Sequence, residues 1–199
     1  MKQYVVEDES IEVSGQGILA LLNSFGGFTL LASEMLAQEG VAPQNTEGMV
    51  EVKPEGWYSL AKYLRAYKQI TSVVGEQVIY QVGLNMPKHA RFPDFIRDVP
   101  SAMQSMDAAY GMNHRKNGVP MFDPQTGQRT PGIGSYKYEK TEGKNAVTMF
   151  CDNPYPCVFD RALLTAMAQR FDPKAQLKHD DRKPCRHKGG DSCTYLINW

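Results

Sequence analysis

Residues 134–151 read GSYKYEKTEGKNAVTMFC, and this stretch decides the fold class. Two runs of strand-type residues, Ser135 to Lys140 and Ala146 to Cys151, flank the turn Glu142-Gly143-Lys144, which is a hairpin signal. The rigid segment NPYPC (153–157) then introduces a run in which Phe159, Leu163, Ala166, Met167 and Arg170 recur at helical spacing. Ala175 to Asp181 and Cys193 to Trp199 read as two further strands, joined by the loop RKPCRHKGGD (182–191). The order strand, strand, helix, strand, strand places two hairpins on either side of one helix. That is the grammar of an α+β domain in which an antiparallel sheet packs helices on one face.

Upstream, residues 1–116 read as mainly helical. Ile18 to Asn23 and Phe28 to Gln38 carry helical patterns hinged at Gly26-Gly27, with Gly40 as a C-terminal stop. Trp57, Leu60, Ala61, Leu64 and Tyr67 make one helical face, and Val78, Ile79, Val82 and Leu84 follow Gly75 on another. Asp98 caps a third helix with Pro100 in its first turn and Met103, Met106, Ala109 and Tyr110 on one side. The segment MNHRKNG sets His114, Arg115 and Lys116 at the C-terminus of that helix, where cations complement its dipole. Residues 117–134 are turn chemistry almost throughout and read as one long irregular loop serving as a cover. The chain is expected to form a single domain over 1–199, with the β-β-α-β-β unit occupying 132–199.

Lys and Arg number 22 and Asp and Glu 22, so no global charge draws the chain to nucleic acid or an anionic membrane. The N-terminal MKQYVVEDES is neither a signal nor a transit peptide. No apolar run approaches the roughly 20 residues of a membrane span, and a soluble, cytoplasmic protein is expected. No G-x-S-x-G, H-E-x-x-H or G-x-G-x-x-G after a strand is present, so nothing demands an enzyme.

All four cysteines (Cys151, Cys157, Cys185, Cys193) lie in the last quarter of the chain. Cys157 opens a helix, where the dipole and free N–H groups favour a thiolate. Cys185 and Cys193 bracket the final hairpin loop. Three thiolates with one nitrogen or oxygen donor complete a tetrahedral zinc site, and His179, Asp180, Asp181 and His187 stand nearby. Reduced buried cysteines or a redox pair are the alternatives. Aromatic and methionine side chains at Trp57, Tyr67, Tyr80, Met103 and Met106, with His114, are candidate lining for an apolar ligand pocket between the helices and the C-terminal sheet.

The run NPYPCVFDRALLTAMAQRFDPKAQLKHDDRKPCRHKGGDSCTYLINW (153–199) resembles the 4-vinyl-reductase-like domain. The likeness lies in a cysteine before an amphipathic helix, a strand, and C-x₇-C with a glycine inside before an aromatic-aliphatic last strand. Cys157, Cys185, Gly189, Cys193 and Tyr195 occupy those positions. The resemblance implies a small-molecule-binding fold related to haem-based nitric-oxide sensors and to vesicle-tethering subunits. In phenol-sensing activators of this type zinc is held by three cysteines and a glutamate; Cys157, Cys185 and Cys193 match the cysteines, and Arg182 stands in the glutamate's place. Asp181 or His179 is then the expected substitute. The leading expectation is a sensor or ligand carrier for a small apolar or aromatic molecule, acting through a signalling partner protein and compatible with a homodimer. A tetrapyrrole enzyme or chaperone, with haem or a related cofactor, and an assembly protein are the alternatives.

Overall fold

The computed structural model describes residues 1–89 and 92–199. The C-terminal unit forms as its sequence indicates. Strands Tyr136–Lys140 (β5), Ala146–Cys151 (β6), Gln176–His179 (β7) and Cys193–Asn198 (β8) make an antiparallel sheet in the order β5-β6-β8-β7, and helix α6 (Cys157–Phe171) packs on one face. Val147, Met149 and Cys151 of β6 alternate inward with Cys193, Tyr195 and Ile197 of β8, the period of two expected of a half-buried sheet. β7 ends two residues earlier than its pattern suggests, because the Asp180 carboxylate turns to accept from the backbone N–H and guanidinium of Arg182.

The first half is helix-rich, as its sequence indicates, and carries one addition. Beside the helices it carries a second antiparallel sheet, β2-β1-β3-β4, built from Ile11–Ser14 (β1), Trp57–Ser59 (β2), His114–Lys116 (β3) and Val119–Pro120 (β4). Trp57 therefore lies on a strand rather than a helical face, and His114 to Lys116 form a strand beyond the end of their helix. Strands of two to four residues are too short for a period of two to show in sequence. Two of them run directly into helices through serine caps: Ser14 accepts from Gly17 N–H and Ser59 from Lys62 N–H, opening α1 (Gly15–Ser24) and α3 (Leu60–Val74).

Helices α1 and α2 (Thr29–Gln38) bend by 115° around the Gly26–Phe28 turn, as the glycine pair indicates. No single helix among the described residues is long and apolar enough to cross a membrane. α4 (Glu76–Asn85) follows α3 across Gly75, and α5 (Val99–Met112) starts in a capping box between Asp98 and Ser101 with Pro100 in its first turn. The 117–134 segment is more ordered than a loop reading allows. Phe122 and Arg129 form a bridge, Met121 and Ile133 are buried, and Arg129 pairs with Asp107 of α5.

α6 is the central helix, packed on α4, α5 and the C-terminal sheet. At its crossing with α4 a methyl group on Gly83 would stand 2.7 Å from both Ala162 Cβ and the Phe159 carbonyl oxygen. Glycine is what lets the two helices approach so closely. Gly83→Ala is expected to push α4 off α6 and to destabilise the fold by about 1–3 kcal/mol, the usual cost of overpacking. Urea unfolding checks this against Gly27→Ala, at an exposed position where a Cβ meets no neighbouring atom within 4 Å.

Candidate metal centre

The chain leaves β6 through Asn153-Pro154-Tyr155-Pro156 and enters α6 at Cys157, whose cap residue offers no side-chain hydrogen bond. After β7 it returns to the same end of α6. Cys185 begins a 3-10 turn over Arg186–Lys188, closed by Gly189 in the left-handed region (φ +83°), and Cys193 opens β8. The helix start, the turn and the strand start thus meet. Their three sulfurs lie within 4.8 Å of one another, with Cys157 Sγ 3.9 Å and Cys193 Sγ 3.8 Å from Cys185 Sγ. Cys185 and Cys193 are buried and Cys157 is half-buried. Cys151, opposite Cys193 in the sheet register, is outside this cluster; burial pushes its thiol well above the ordinary range.

The cluster is poised to hold negative charge. The Cys193 thiol is drawn down, first by its hydrogen bond with Cys157 and then by Arg186, whose backbone N–H donates to Cys193 Sγ at 3.3 Å. The same pairing pushes Cys157 up. A thiolate is the form that ligates metal.

What holds the turn in place is a buried ion pair that the sequence reading did not single out. Arg186 and Asp160 have no exposed side-chain surface, and the guanidinium pairs with the carboxylate while also donating to the carbonyl oxygens of Asn153 and Tyr155. Tyr136 O–H and Asn153 Nδ2 donate to Asp160, the latter at 3.0 Å. Burial pushes the carboxyl up, while Arg186, whose guanidinium does not surrender its proton inside a protein, opposes that shift. The one available sequence signal is an acid, Asp160, between apolar residues of an otherwise buried helix face.

Of the expected ligand-lining residues, Tyr67, Met103 and Met106 share one hydrophobic cluster against which Tyr80 packs, and Trp57 lies on β2 outside it. Tyr67, Met103 and Met106 are buried in the core, whereas Trp57 lies under the Arg115 guanidinium at 4.7 Å and Tyr80 under that of Arg161 at 5.0 Å. Tyr67 instead sits among Tyr4, Tyr63, Tyr155 and Phe159, with ring centroids 6.0–6.4 Å apart, and its hydroxyl is buried without a partner. Two surface grooves, one of about 870 Å³ bordered by Asp107, Arg129 and Asp152, touch none of the six residues.

His114 is 2% exposed, with Nδ1 2.7 Å from the Tyr110 carbonyl oxygen and Nε2 2.9 Å from the Tyr155 hydroxyl. Burial lowers its pKa to about 4, so the neutral ring donates from Nδ1 and accepts at Nε2. Both nitrogens are used. His187 faces Glu76 on the surface, His179 is held by Asp181, and His89 is exposed. His114, with both nitrogens engaged, does not fit a haem ligand. Of the expected metal donors outside the cysteines, Asp181 is exposed and accepts from His179 Nδ1 at 3.0 Å, and neither residue belongs to the sulfur cluster.

No protein-family model matches the chain, and no curated protein matches it in sequence. Solved structures do match in fold. An H-NOX protein from S. oneidensis in the Fe(II) state superposes with a TM-score of 0.62 at 16% identity, covering 93% of this chain and 95% of its own. An oxygen-binding H-NOX domain related to soluble guanylate cyclases, in its oxygen complex, gives 0.60 at 13% identity, covering 92% and 94%. A structure from work on haem distortion in the H-NOX family gives 0.63 at 13%, covering 94% of each chain. At such identities the likeness establishes the fold.

Two outcomes follow from the buried polar groups. Arg186→Met leaves Asp160 as an uncompensated buried charge, and a loss of about 3–5 kcal/mol in chemical unfolding is expected. For His114 the folded-state pKa lies below the unfolded value of 6.5, so the unfolded chain takes up the proton first as pH falls. Its contribution is therefore complete above pH 6.5 and is lost between 6.5 and about 4, a change of roughly 3 kcal/mol. Urea melts of the unmutated protein and His114→Gln across that range should differ in slope, with the variant flatter.

Proposed function

We propose that the chain is a small-molecule-binding sensor domain of the H-NOX fold whose Cys157–Cys185–Cys193 cluster holds a zinc ion. The observation that carries the metal part is the meeting of three thiol sulfurs within 4.8 Å, one of them already drawn toward thiolate. The donor set fits: zinc takes thiolates readily in tetrahedral sites, and sulfur-only neighbours disfavour calcium or magnesium. A bound zinc ion would supply a fixed positive charge that lets three thiolates share one site. The residues do the rest, since the cluster ties the start of α6, the Cys185 turn and β8 to a single point. The resemblance of residues 153–199 to 4-vinyl-reductase-like domains supports the same assignment.

The sensor part is supported by the fold, shared with proteins that include an oxygen-binding domain. It is further supported by the ring cluster around Tyr67, whose unpartnered buried hydroxyl leaves one donor for a small aromatic or apolar ligand carrying an acceptor. The output of such a domain passes to a partner protein. A tetrapyrrole is the second reading, favoured by the haem named for neighbours of this fold. A Soret band in the purified protein would establish it, and a colourless zinc protein would count against it.

Elemental analysis is the direct test. Protein purified without chelator is expected to carry about one zinc per chain, and Cys185→Ser to lose most of it. Zinc near zero in the unmutated protein overturns the assignment. At a thousandfold excess over Kd ligation adds about 4 kcal/mol, so chelation should lower the Tm by roughly 8–16 °C.

A further inference from the structure

We infer that the fourth donor of the cysteine cluster is Nε2 of His179, oriented by Asp181, so that the site is a closed Cys₃His centre; this rests on the zinc assignment above. Three sulfurs leave a tetrahedral ion one donor short. The neighbouring acids are spent elsewhere: Asp180 accepts from the Arg182 guanidinium at 2.9 and 3.2 Å, and the Asp181 side chain is 74% exposed. Arg182 itself is a cation.

His179 differs from all of these. Its side chain is 16% exposed, Nδ1 lies 3.0 Å from the Asp181 carboxylate, and Nε2 is buried with no hydrogen-bond partner. A carboxylate on one ring nitrogen fixes the tautomer, placing the proton on Nδ1 and the lone pair on Nε2. That is how metal-bound histidines are presented. A buried nitrogen lone pair otherwise costs free energy, and a metal ion satisfies it.

The sheet puts this ring on the face that carries the cluster. His179 pairs with Tyr195 in the β7–β8 register, and Cys193 lies two residues away on the same strand face. Diagonal neighbours of this kind are roughly 7–8 Å apart at Cα, within reach of long or aromatic side chains. The imidazole packs on the Tyr195 ring, centroids 5.2 Å apart, and the Tyr195 hydroxyl donates to the Cys157 carbonyl oxygen at 2.9 Å. Tyr195 thus spans from the histidine to the first cysteine. Nε2 stands outside the 4.8 Å sulfur group, so the ring must rotate toward it on binding, and the exposed Asp181 is free to follow. A site closed by four protein donors is structural; effector binding then belongs to the aromatic core rather than to the metal.

X-ray absorption at the zinc edge on the full chain tests this, together with competition titrations of zinc on His179→Ala and Asp181→Asn. The unmutated protein is expected to show three sulfurs and one imidazole. His179→Ala should lose the imidazole scattering and bind zinc at least about 10–100-fold more weakly. Asp181→Asn should keep the imidazole and weaken binding by a similar factor, the usual effect of removing a partner behind a ligand. Zinc held by three sulfurs and an oxygen in the unmutated protein, or unchanged affinity in His179→Ala, overturns the histidine while leaving the three-thiol site standing. Unchanged affinity in Asp181→Asn removes the orienting role alone. Absence of zinc from the unmutated protein ends both assignments, and the absorption spectrum of that protein decides the question even if a variant fails to fold.

Discussion

Arg186 and Asp160 face each other with no solvent on either side chain, and the geometry of the cysteine centre depends on that pair. Burying two charges costs several kcal/mol per ion, and only good geometry with further hydrogen bonds offsets it. Here Tyr136, Asn153 and the carbonyl of Tyr155 supply those bonds. The consequence is positional. Asp160 sits one turn into α6, whose first residue is Cys157, and Arg186 directly follows Cys185. A link between the two acts as a strap that brings Cys185 to the helix start, while the Arg186 N–H reaches Cys193 on the strand. Without it the turn carrying Cys185 has few other anchors, being largely exposed from His187 to Gly189.

The same network continues into the core. Asn153 accepts from the backbone of Tyr155 and from Arg186, and the Tyr155 hydroxyl meets His114 at the junction of α5 and β3. Tyr155 therefore joins the cysteine end of the C-terminal sheet to the small sheet of the first half. Around it the rings of Tyr63, Tyr67, Tyr110 and Phe159 meet edge-on or tilted, the arrangement aromatic quadrupoles favour. Core packing and candidate ligand site are thus the same set of residues, so a ligand entering there would have to displace rings rather than fill a void.

Legibility of the site followed sequence separation. Cys157, Cys185 and Cys193 were recognisable because the helix start and the C-x₇-C loop are local patterns, and the structure joins all three. Asp181 and His179 were visible as nearby donors, but their relation, one holding the other, needed the strand end in three dimensions. Asp160 and Arg186 lie 26 positions apart with nothing in either local pattern to link them. That Arg115 lies over Trp57 and Arg161 over Tyr80 is likewise a matter of tertiary packing, which periodicity along one element does not report.

For the fold, the sequence by itself determined the β-β-α-β-β unit, the bend at Gly26-Gly27 and the Asp98 cap, since each is set by period, turn chemistry or capping within a few residues. Tertiary structure alone decided the β2-β1-β3-β4 sheet, whose strands draw stability from partners up to about a hundred residues away rather than from their own two to four residues. It also decided that His114 is a neutral core residue with both nitrogens engaged. Burial and hydrogen-bond partners are properties of the packed interior, and no local stretch of chain contains them.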